Sequence, residues 1–153
     1  MIRRLMDVLG SLLGRRPAAL QVAALCTRGR GEKTEVLLIT SRGTGRWVTP
    51  KGWPMRGRSL SGAAAQEAWE EAGARGRITE RAVGYFTYDK GLDSGLDIAV
   101  EVAVFHLSQA ELSPDFPEAG ERERRWFAPE AAAQAVAEEG LSDIILSLTS
   151  IKR

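Results

Sequence analysis

The chain has 153 residues, of which 44% are hydrophobic and 27% are charged, and its formal net charge is +1. This length and composition predict one globular domain with its own hydrophobic core, and near neutrality gives no general electrostatic reason for binding nucleic acid. The only cysteine, Cys26, excludes an internal disulfide and favours a reducing, cytoplasmic compartment. Its position in the apolar run QVAALC predicts a buried, inert thiol. No apolar run approaches the roughly 20 residues that span a bilayer.

The first sixteen residues, MIRRLMDVLGSLLGRR, form a cationic amphipathic pattern that Pro17 ends. We interpret residues 1–17 as an amphipathic helical extension and residues 18–153 as the domain. Asp7 and Gly10 interrupt what would be the apolar region of a signal peptide. Such a helix can lie on a membrane surface, but packing on its own domain or on a second subunit is favoured. The apolar positions at helical spacing are Ile2, Leu5, Met6, Leu9, Leu12 and Leu13.

Two runs rich in Val, Ile and Leu follow, LQVAALCTRG and EVLLITSR, and the turn residues between them predict a hairpin of buried strands. The stretch GTGRWVTPKGWP is typical of a loop that contains a short strand at 47–49. Ser59 or Ser61 can then cap a helix that runs to about Ala72, with Gly73 as its stop.

The segments RITERAVGYFTYDK and LDIAVEVAVFHLS predict two more strands, joined by the turn GLDSG. A short strand, RRWFA, follows. The helices PEAAAQAVAEE and LSDIILSLTSIK close the chain, the first with Pro129 near its start. This order of elements predicts an α/β (α+β) domain with a central mixed sheet and helices on its faces.

Three glutamates, Glu67, Glu70 and Glu71, crowd the predicted helix within an arc of about 100 degrees. Only Glu71 has a cation one turn on, Arg75, and like charges four residues apart cost about 0.2–0.5 kcal/mol. Mg²⁺ or Mn²⁺ would offset that repulsion, because hard divalent cations bind several oxygen ligands. Solvated surface glutamates are the alternative, which this pattern alone favours. The residues expected on the opposite, sheet-packing side are Ala65, Ala68, Trp69 and Ala72.

The surroundings of these glutamates resemble the Nudix box, whose pattern is G-x5-E-x7-R-E-U-x-E-E-x-G-U, with U an aliphatic residue. The strand-rich lead-in, and the later RRWF followed by a helix, extend the likeness over most of residues 18–150. The resemblance implies a Nudix-type α/β/α sandwich with a central mixed sheet. The matching positions are Gly52, Glu67, Glu70, Glu71 and Gly73, with Ala68 and Ala74 at the aliphatic positions.

Two positions depart from the box. Arg58 stands where the pattern has its first glutamate, and Gln66 stands where it has arginine. In the family these two residues are understood to pair and brace the loop and helix. Their replacement suggests the loss of a bracing pair and not of a metal ligand, and the new side chains could hydrogen-bond each other or the loop backbone. A degenerate, inactive Nudix domain is the alternative.

The resemblance also implies a metal centre of Mg²⁺ or Mn²⁺, with Gly52 (through its carbonyl), Glu67, Glu70 and Glu71 as ligands. The bound metal would polarise a phosphate chain and lower the pKa of a water molecule. Within the box, Glu67 or Glu70 is then the base that removes the proton of that water.

Many family members add an acid from beyond the box, just before the Trp of the later strand. Here PEAGERERRWF offers Glu118, Glu121 and Glu123, and we choose Glu121. Glu101 is a further candidate, because strand alternation places it among apolar residues, where a carboxylate needs a reason to be. The lone His106 alternates with valines and is interpreted as a satisfied core or edge histidine.

Charge is unevenly distributed along the chain. Eight basic and two acidic residues lie between Arg28 and Arg58, whereas eight acidic residues and three arginines lie between Glu111 and Glu139. A dipolar chain of this kind could bring a polyanion to an acidic, metal-binding centre; solvated faces of unequal sign are the alternative.

The stretch TSRGTGRWVTPKGWP resembles the diphosphoinositol polyphosphate phosphohydrolase subgroup of the Nudix family, which implies phosphate contacts from its first Ser-Arg and from the Arg before Trp. Two lysines join them on chemistry alone, and ordinary exposed cations are the alternative for each. Trp47 and Trp53 could stack on a nucleobase, although Trp47 is better interpreted as core and Trp53 as a loop plug. The candidate substrate contacts are Ser41, Arg42, Arg46, Lys51 and Lys90.

Three functions compete. The resemblance implies a metal-dependent pyrophosphohydrolase acting on a phosphorylated small molecule, either linked to a nucleoside diphosphate or of the diphosphoinositol polyphosphate type. A Nudix-fold ligand sensor without turnover and an RNA 5′-end pyrophosphohydrolase are the alternatives. Only two aromatic residues lie near the basic loop, so no stable nucleic-acid partner is expected. The chain is expected to be a monomer or a homodimer with no membrane span.

Overall fold

Eight β-strands and three α-helices lie within residues 19–150, the part of the chain that the computed structural model describes. The predicted extension over residues 1–17 lies outside the described residues. The strands are β1 (Ala19–Arg28), β2 (Glu35–Thr40), β3 (Trp47–Val48), β4 (Lys51–Gly52), β5 (Ala74–Ile78), β6 (Gly84–Gly91), β7 (Asp97–Leu112) and β8 (Arg124–Phe127). The helices are α1 (Leu60–Ala72), α2 (Pro129–Ala135) and α3 (Glu139–Ser150).

The strands form one mixed sheet in which β1 and β7 lie side by side and parallel. Their register runs from Ala19 opposite Val100 to Cys26 opposite Leu107. The remaining pairs are antiparallel: β2 and β4 pair with β1, β5 and β6 with β7, and β3 and β8 with β2. The predicted mixed sheet and the predicted β1–β2 hairpin are confirmed.

The central strands are apolar on both faces because helices cover both faces of the sheet. Alternate residues of β1 belong to two hydrophobic clusters. Val22, Ala24 and Cys26 face α1, whereas Ala23 and Leu25 face α2 and α3. A sheet held between helices confirms the predicted α/β/α sandwich.

The segment at 77–90, predicted as one strand, forms the end of β5 and most of β6. Both strands pair with the same long strand, β7, so the interruption falls between two stretches of one sheet edge. The polar residues after Ile78 turn the chain at that point, because Thr79 Oγ1 donates a hydrogen bond to the Arg81 carbonyl at 2.9 Å. Pairing resumes where the Val83 N–H donates to the Val104 carbonyl at 2.7 Å.

Two further boundaries differ from the prediction. Helix α2 ends at Ala135 because Val136 is extended and forms a parallel bridge with Trp47. The short strand β4 was not predicted, and its two residues pair with Val22 and Ala23 of β1. No helix within residues 19–150 is long and apolar enough to cross a membrane.

Candidate active site

Helix α1 is fixed at both ends by local contacts. Ser59 is the N-cap, and its Oγ accepts a hydrogen bond from the Gly62 N–H at 3.0 Å. Gly73 ends the helix in the left-handed conformation, with a φ of 64°, and its N–H donates to the Trp69 carbonyl at 2.9 Å. Both predicted ends are confirmed, and of the two candidate caps the structure selects Ser59.

Glu67 and Glu71 lie beside the buried residues of α1 and not opposite to them. Glu67 follows a buried alanine by one turn, Glu71 follows Glu67 by another, and neither side chain is fully exposed. Ala68 and Ala72 are buried as predicted, but the prediction that the glutamates lie opposite the packed side is wrong for Glu67 and Glu71. Ala65 and Trp69, expected on the packed side, are only partly buried. The fully buried residues of the helix are Ala63, Ala64, Ala68 and Ala72.

Strand β4 brings two backbone units against these glutamates. A Cβ atom at Gly52 would overlap both carboxylate oxygens of Glu67, so a side chain here would displace that carboxylate. The preceding residue, Lys51, donates its N–H to Glu71 Oε1 at 3.2 Å. The missed strand is therefore the element that completes the acidic site.

The pKa values of both carboxyls are raised. Burial is the largest cause at Glu67, whose pKa rises to about 8, and repulsion from Glu71 and Glu70 adds to it. Burial also raises the pKa of Glu71, while the guanidinium of Arg122 and the Lys51 N–H act in the opposite direction. Two neighbouring carboxyls that resist ionisation lie where a divalent cation would stabilise their charged forms.

The oxygen donors at this point fit a hard divalent cation. Glu67 and Glu71 lie within hydrogen-bonding reach of each other, and the Gly52 backbone closes the same space. In the chain from residue 19 to residue 150, no three Asp, Glu, His or Cys side chains already converge as a metal centre.

Arg122 is a buried cation at the site that the sequence analysis missed. Its side chain is 9% exposed, and its Nη2 lies 3.4 Å from Glu71 Oε2 and 3.3 Å from Glu118 Oε1. Its Nη1 donates to the Thr40 carbonyl at the end of β2 at 3.1 Å. The only local signal for this role was the four-residue spacing from Glu118.

Arg75, the cation expected one turn after Glu71, does not pair with it. The Arg75 guanidinium lies over the Trp69 ring, 3.8 Å from its centroid. Helical spacing does not apply here, because Gly73 ends α1 and Arg75 belongs to β5.

Glu118 is the candidate outer acid that the fold brings to α1. Its N–H donates to the Glu70 carbonyl at 3.0 Å. Its carboxylate lies close enough to the box glutamates to contribute to the raised pKa of Glu67 and of Glu71. The segment that carries it is thus docked on the same end of the helix.

The other three outer acids have different surroundings. Glu121 is 45% exposed and pairs with Arg42 at 3.0 Å, and Glu123 pairs with Arg125 at 2.8 Å. Glu101 lies opposite Thr87 of β6 and lines a surface cavity of about 600 Å³. Two further cavities, of about 440 and 520 Å³, also border the chain around β6 and are lined by other residues than the box glutamates.

Lys51 is the centre of a group of cations close to the carboxylates. Burial lowers the pKa of Lys51, the neighbouring charges of Lys90 and Arg46 lower it further, and Glu138 and Glu71 oppose these effects. The Lys51 Nζ lies 5.2 Å from the centre of the Tyr88 ring. Three of the five predicted substrate contacts are thus neighbours.

Ser41 and Arg42 make other contacts. Ser41 Oγ accepts a hydrogen bond from the Arg46 N–H at 3.1 Å and is hydrogen-bonded to the Thr44 hydroxyl, which shapes the loop between β2 and β3. The hydrogen bond that Arg42 donates to Glu121 is the largest cause of the raised pKa of Arg42, and the charges of Glu118 and Glu71 contribute. Arg42 therefore borders the acidic site from the side of the outer acids.

Arg58 and Gln66, the two departures from the box, do not replace the bracing pair. Among residues 19–150 no hydrogen bond joins their side chains. Arg58 is exposed, and its backbone N–H donates to the Met55 carbonyl at 3.1 Å in a turn before α1. The expectation that the two side chains bond each other is not met.

The remaining singled-out residues have structural surroundings. Burial raises the pKa of the Cys26 thiol to about 12, and His106 is buried with its Nε2 2.7 Å from Thr27 Oγ1, as predicted for both. Trp47 packs edge-on against Phe127, with ring centroids 5.0 Å apart. Trp53 is 45% exposed, so its interpretation as a loop plug is wrong.

Comparison with known proteins places this geometry in context. A family model described as NUDIX domain matches residues 17–147. The chain is 31% identical over 118 residues to diphosphoinositol polyphosphate phosphohydrolase 3-alpha of Mus musculus. This alignment covers 76% of the chain and 68% of the mouse protein.

Solved structures share the fold. An Ap4A hydrolase of C. elegans superposes with a TM-score of 0.59 at 19% identity, covering 88% of this chain and 98% of the worm protein. The NUDIX domain of Shewanella oneidensis NrtR, solved with ADP ribose, superposes with a TM-score of 0.61 at 14% identity, covering 91% and 92%. At these identities the likeness concerns the fold alone.

Proposed function

The chain belongs to the Nudix family, and from this premise we propose that it is a metal-dependent pyrophosphohydrolase that cleaves a phosphoanhydride bond. The proposed substrates are compounds linked to a nucleoside diphosphate or of the diphosphoinositol polyphosphate type. The mouse relative is named for action on the latter class, and the structurally similar C. elegans enzyme is named for action on Ap4A.

The observation that carries the proposal is the contact of β4 with the box glutamates. Gly52 lies against Glu67, and the Lys51 N–H bonds Glu71, in a partly buried space where both carboxyls have raised pKa values. A helix selected only for stability would not keep these side chains together, because like charges and burial both oppose it.

Gly52, Glu67, Glu70 and Glu71 are the residues that would hold the metal, Mg²⁺ or Mn²⁺. When bound, such an ion neutralises phosphate charge and lowers the pKa of a water molecule. Nudix hydrolases generally need divalent metal ions, and the oxygen-only donor set of this site is the type that these two ions prefer.

The proton of the attacking water would pass to a carboxylate of this chain. Within the box, Glu67 and Glu70 remain the proposed bases. For the acid outside the box we propose Glu118 in place of Glu121, because the Glu118 N–H is bonded to the Glu70 carbonyl and its carboxylate contributes to the raised pKa of Glu67 and of Glu71. The Glu121 side chain is more exposed, at 45% against 22% for Glu118.

The phosphate groups distant from the bond broken would lie along the neighbouring cations. Lys51, Lys90 and Arg46 support this assignment together, since their charges interact and their group borders Glu71. Arg42 is a second candidate on the other side of the carboxylates, where it is now paired with Glu121. Ser41 would act indirectly, through the shape of its loop.

A ligand sensor of the same fold is the second candidate function. The observation that favours it is the missing brace, because Arg58 and Gln66 make no contact that replaces the ion pair of the box. A sensor would bind a phosphorylated ligand without hydrolysing it.

A hydrolysis screen in Mg²⁺, with the products separated by anion-exchange chromatography, tests the proposal. The panel contains diphosphoinositol phosphates, dinucleoside polyphosphates, ADP-ribose and capped RNA, each with and without EDTA. Cleavage of at least one of the first three substrates, abolished by EDTA, supports the hydrolase. Binding by calorimetry with no cleavage of any of them would favour the sensor, and cleavage of capped RNA alone would favour the RNA enzyme.

A further inference from the structure

We propose that Arg122 is a positioning residue of the acidic site, which holds the carboxylates of Glu71 and Glu118 in place from outside the Nudix box. The inference rests on the proposed function, since it takes Glu71 as a metal ligand. The supporting contacts are the two ion pairs of the Arg122 Nη2, at 3.4 Å to Glu71 and 3.3 Å to Glu118.

Arg122 differs from the exposed arginines of the chain. Arg42 and Arg125 have side chains that are 60% and 55% exposed and pair with exposed glutamates, an arrangement that contributes little. Arg122 is 9% exposed and contacts three separate parts of the fold: helix α1, the end of β2 and its own segment. A buried guanidinium needs such partners, and here two of them are acids of the site.

The carboxylate of Glu71 is held at both oxygens. Its Oε1 accepts the Lys51 N–H at 3.2 Å, and its Oε2 faces the Arg122 guanidinium. The planar fork of arginine also reaches Glu118 Oε1 through Nε, at 3.4 Å. Groups that fix the orientation of a metal ligand in this way raise its effectiveness without touching the metal.

The Arg122 guanidinium is not needed to hold its own segment against the rest of the fold. The backbone already ties that segment to β2, because the Thr40 N–H donates to the Glu123 carbonyl at 3.0 Å and the Glu123 N–H donates to Thr40 Oγ1 at 2.9 Å. A third tie holds Glu118 to α1 through the Glu70 carbonyl. The guanidinium therefore adds orientation of carboxylates to contacts that exist without it.

Helix α1 carries no cation of its own beside these carboxylates, because Gln66 stands where the box pattern has arginine. The carboxylates at this end of α1 are Glu67, Glu70, Glu71 and Glu118. Arg122, whose side chain is 9% exposed, pairs with Glu71 and Glu118. A cation for two of the four carboxylates thus comes from a segment outside the helix.

Mn²⁺ binding to the full chain, measured by electron paramagnetic resonance without substrate, tests the inference. Arg122→Met should weaken Mn²⁺ binding by about 10–100-fold, the loss typical of removing a residue that supports a metal ligand. The Mn²⁺ affinity of Arg122→Lys should lie between that of the unaltered chain and that of Arg122→Met, because lysine keeps the positive charge but lacks the planar guanidinium group. The matched control is Arg125→Gln, an exposed arginine three residues on, which should bind Mn²⁺ as the unaltered chain does.

A double-variant cycle protects the test from simple misfolding. In a Glu71→Gln background, Arg122→Lys should cause no further loss of Mn²⁺ affinity, because Glu71, the proposed ligand that Arg122 orients, is no longer a carboxylate. Equal losses in both backgrounds would overturn the inference, as would wild-type affinity in Arg122→Met. If the unaltered chain itself binds no Mn²⁺, the proposed metal function fails and the inference fails with it; if only the Arg122 variants behave as wild type, the inference alone is wrong.

Discussion

The carboxylate of Glu67 lies directly against the Cα of Gly52, and a methyl group built on that Cα would overlap both of its oxygens. This contact joins the two-residue strand β4 to helix α1 across the acidic site. Glycine at the first position of the box allows this contact, since a side chain there would displace the carboxylate of a proposed metal ligand.

Substitution of this glycine therefore tests the geometry of the site. Gly52→Ala should change the free energy of unfolding by less than about 1 kcal/mol, because the only atoms in its way are the end of the flexible Glu67 side chain, and it should reduce turnover more than substrate affinity, because that carboxylate is displaced. Gly91→Ala is the matched control, because a Cβ there would make only an ordinary contact with Asp97 at 3.5 Å. Denaturant titration and steady-state kinetics measure both effects. Equal behaviour of the two variants would contradict the close approach.

The raised pKa of Glu67 predicts how stability depends on pH in the absence of divalent cations. The folded protein keeps the Glu67 proton up to about pH 8, whereas the unfolded chain loses it near 4.5. The folded state therefore binds more protons in this window, and the stability of the cation-free protein should fall as pH rises through it. Glu67→Gln should flatten this part of the profile.

Thermal unfolding in EDTA from pH 4.5 to 8.5 measures the effect, with Glu32→Gln, at an exposed glutamate of the turn after β1, as control. Mg²⁺ should restore stability most at the high end of the range, since it competes with the proton. A profile that rises with pH in EDTA and is unchanged in Glu67→Gln would show that Glu67 does not titrate as described.

Substitution of basic side chains should distinguish the two sides of the site. Lys51→Met should raise KM more than Arg42→Ala, because Lys51 is partly buried among Lys90 and Arg46, whereas Arg42 is exposed and already paired. An effect on KM with little change in kcat is typical of contacts remote from the bond broken. Lys33→Met, at an exposed lysine of the turn before β2, should leave both KM and kcat unchanged.

Added salt should weaken the Arg42 effect more than the Lys51 effect, because exposed charges are screened more strongly. An unchanged KM in Lys51→Met would place the substrate cleft elsewhere, with Arg42 as the next position to examine.

Local rules predicted the parts of this fold that depend on neighbours in sequence. The N-cap at Ser59 and the left-handed stop at Gly73 are such features, and both were placed correctly because capping needs only a few adjacent residues. The box spacing then placed its glutamates on one helix. The two-residue strand β4 was missed, because two residues carry no period.

Contacts between distant segments account for most of what the sequence could not give. Arg122 reaches Glu71 only because β8 pairs with β2 and carries the preceding segment past the end of α1. The orientation of α1 failed for a related reason. Helical periodicity correctly predicted that the three glutamates share one arc of the helix. It did not predict that this arc lies partly against the fold, where Glu67 is partly buried and meets Gly52.

The two departures from the box should prove energetically independent. Arg58→Ala and Gln66→Ala should each change the free energy of unfolding by less than about 0.5 kcal/mol, and their coupling in a double-mutant cycle should be zero within error, because the side chains do not bond each other. Restoring the family pair with Arg58→Glu and Gln66→Arg should add at most about 1 kcal/mol. A large coupling between the natural residues would contradict the structure here, and activity that appears only in the restored pair would identify the natural chain as a binding domain.

The most direct test of the central claim is cleavage of the best substrate of the panel by EDTA-treated protein, measured as product formed, before and after addition of Mg²⁺ or Mn²⁺. The unaltered chain should be inactive in EDTA and recover with the metal, as should Glu32→Gln. Glu70→Gln and Glu71→Gln should remain folded and lose about 100-fold or more, since loss of a metal ligand should exceed the 10–100-fold typical of residues that only support one. Full activity in EDTA, or near-wild-type turnover in both variants, would contradict the assignment of a metal-dependent hydrolase to these glutamates.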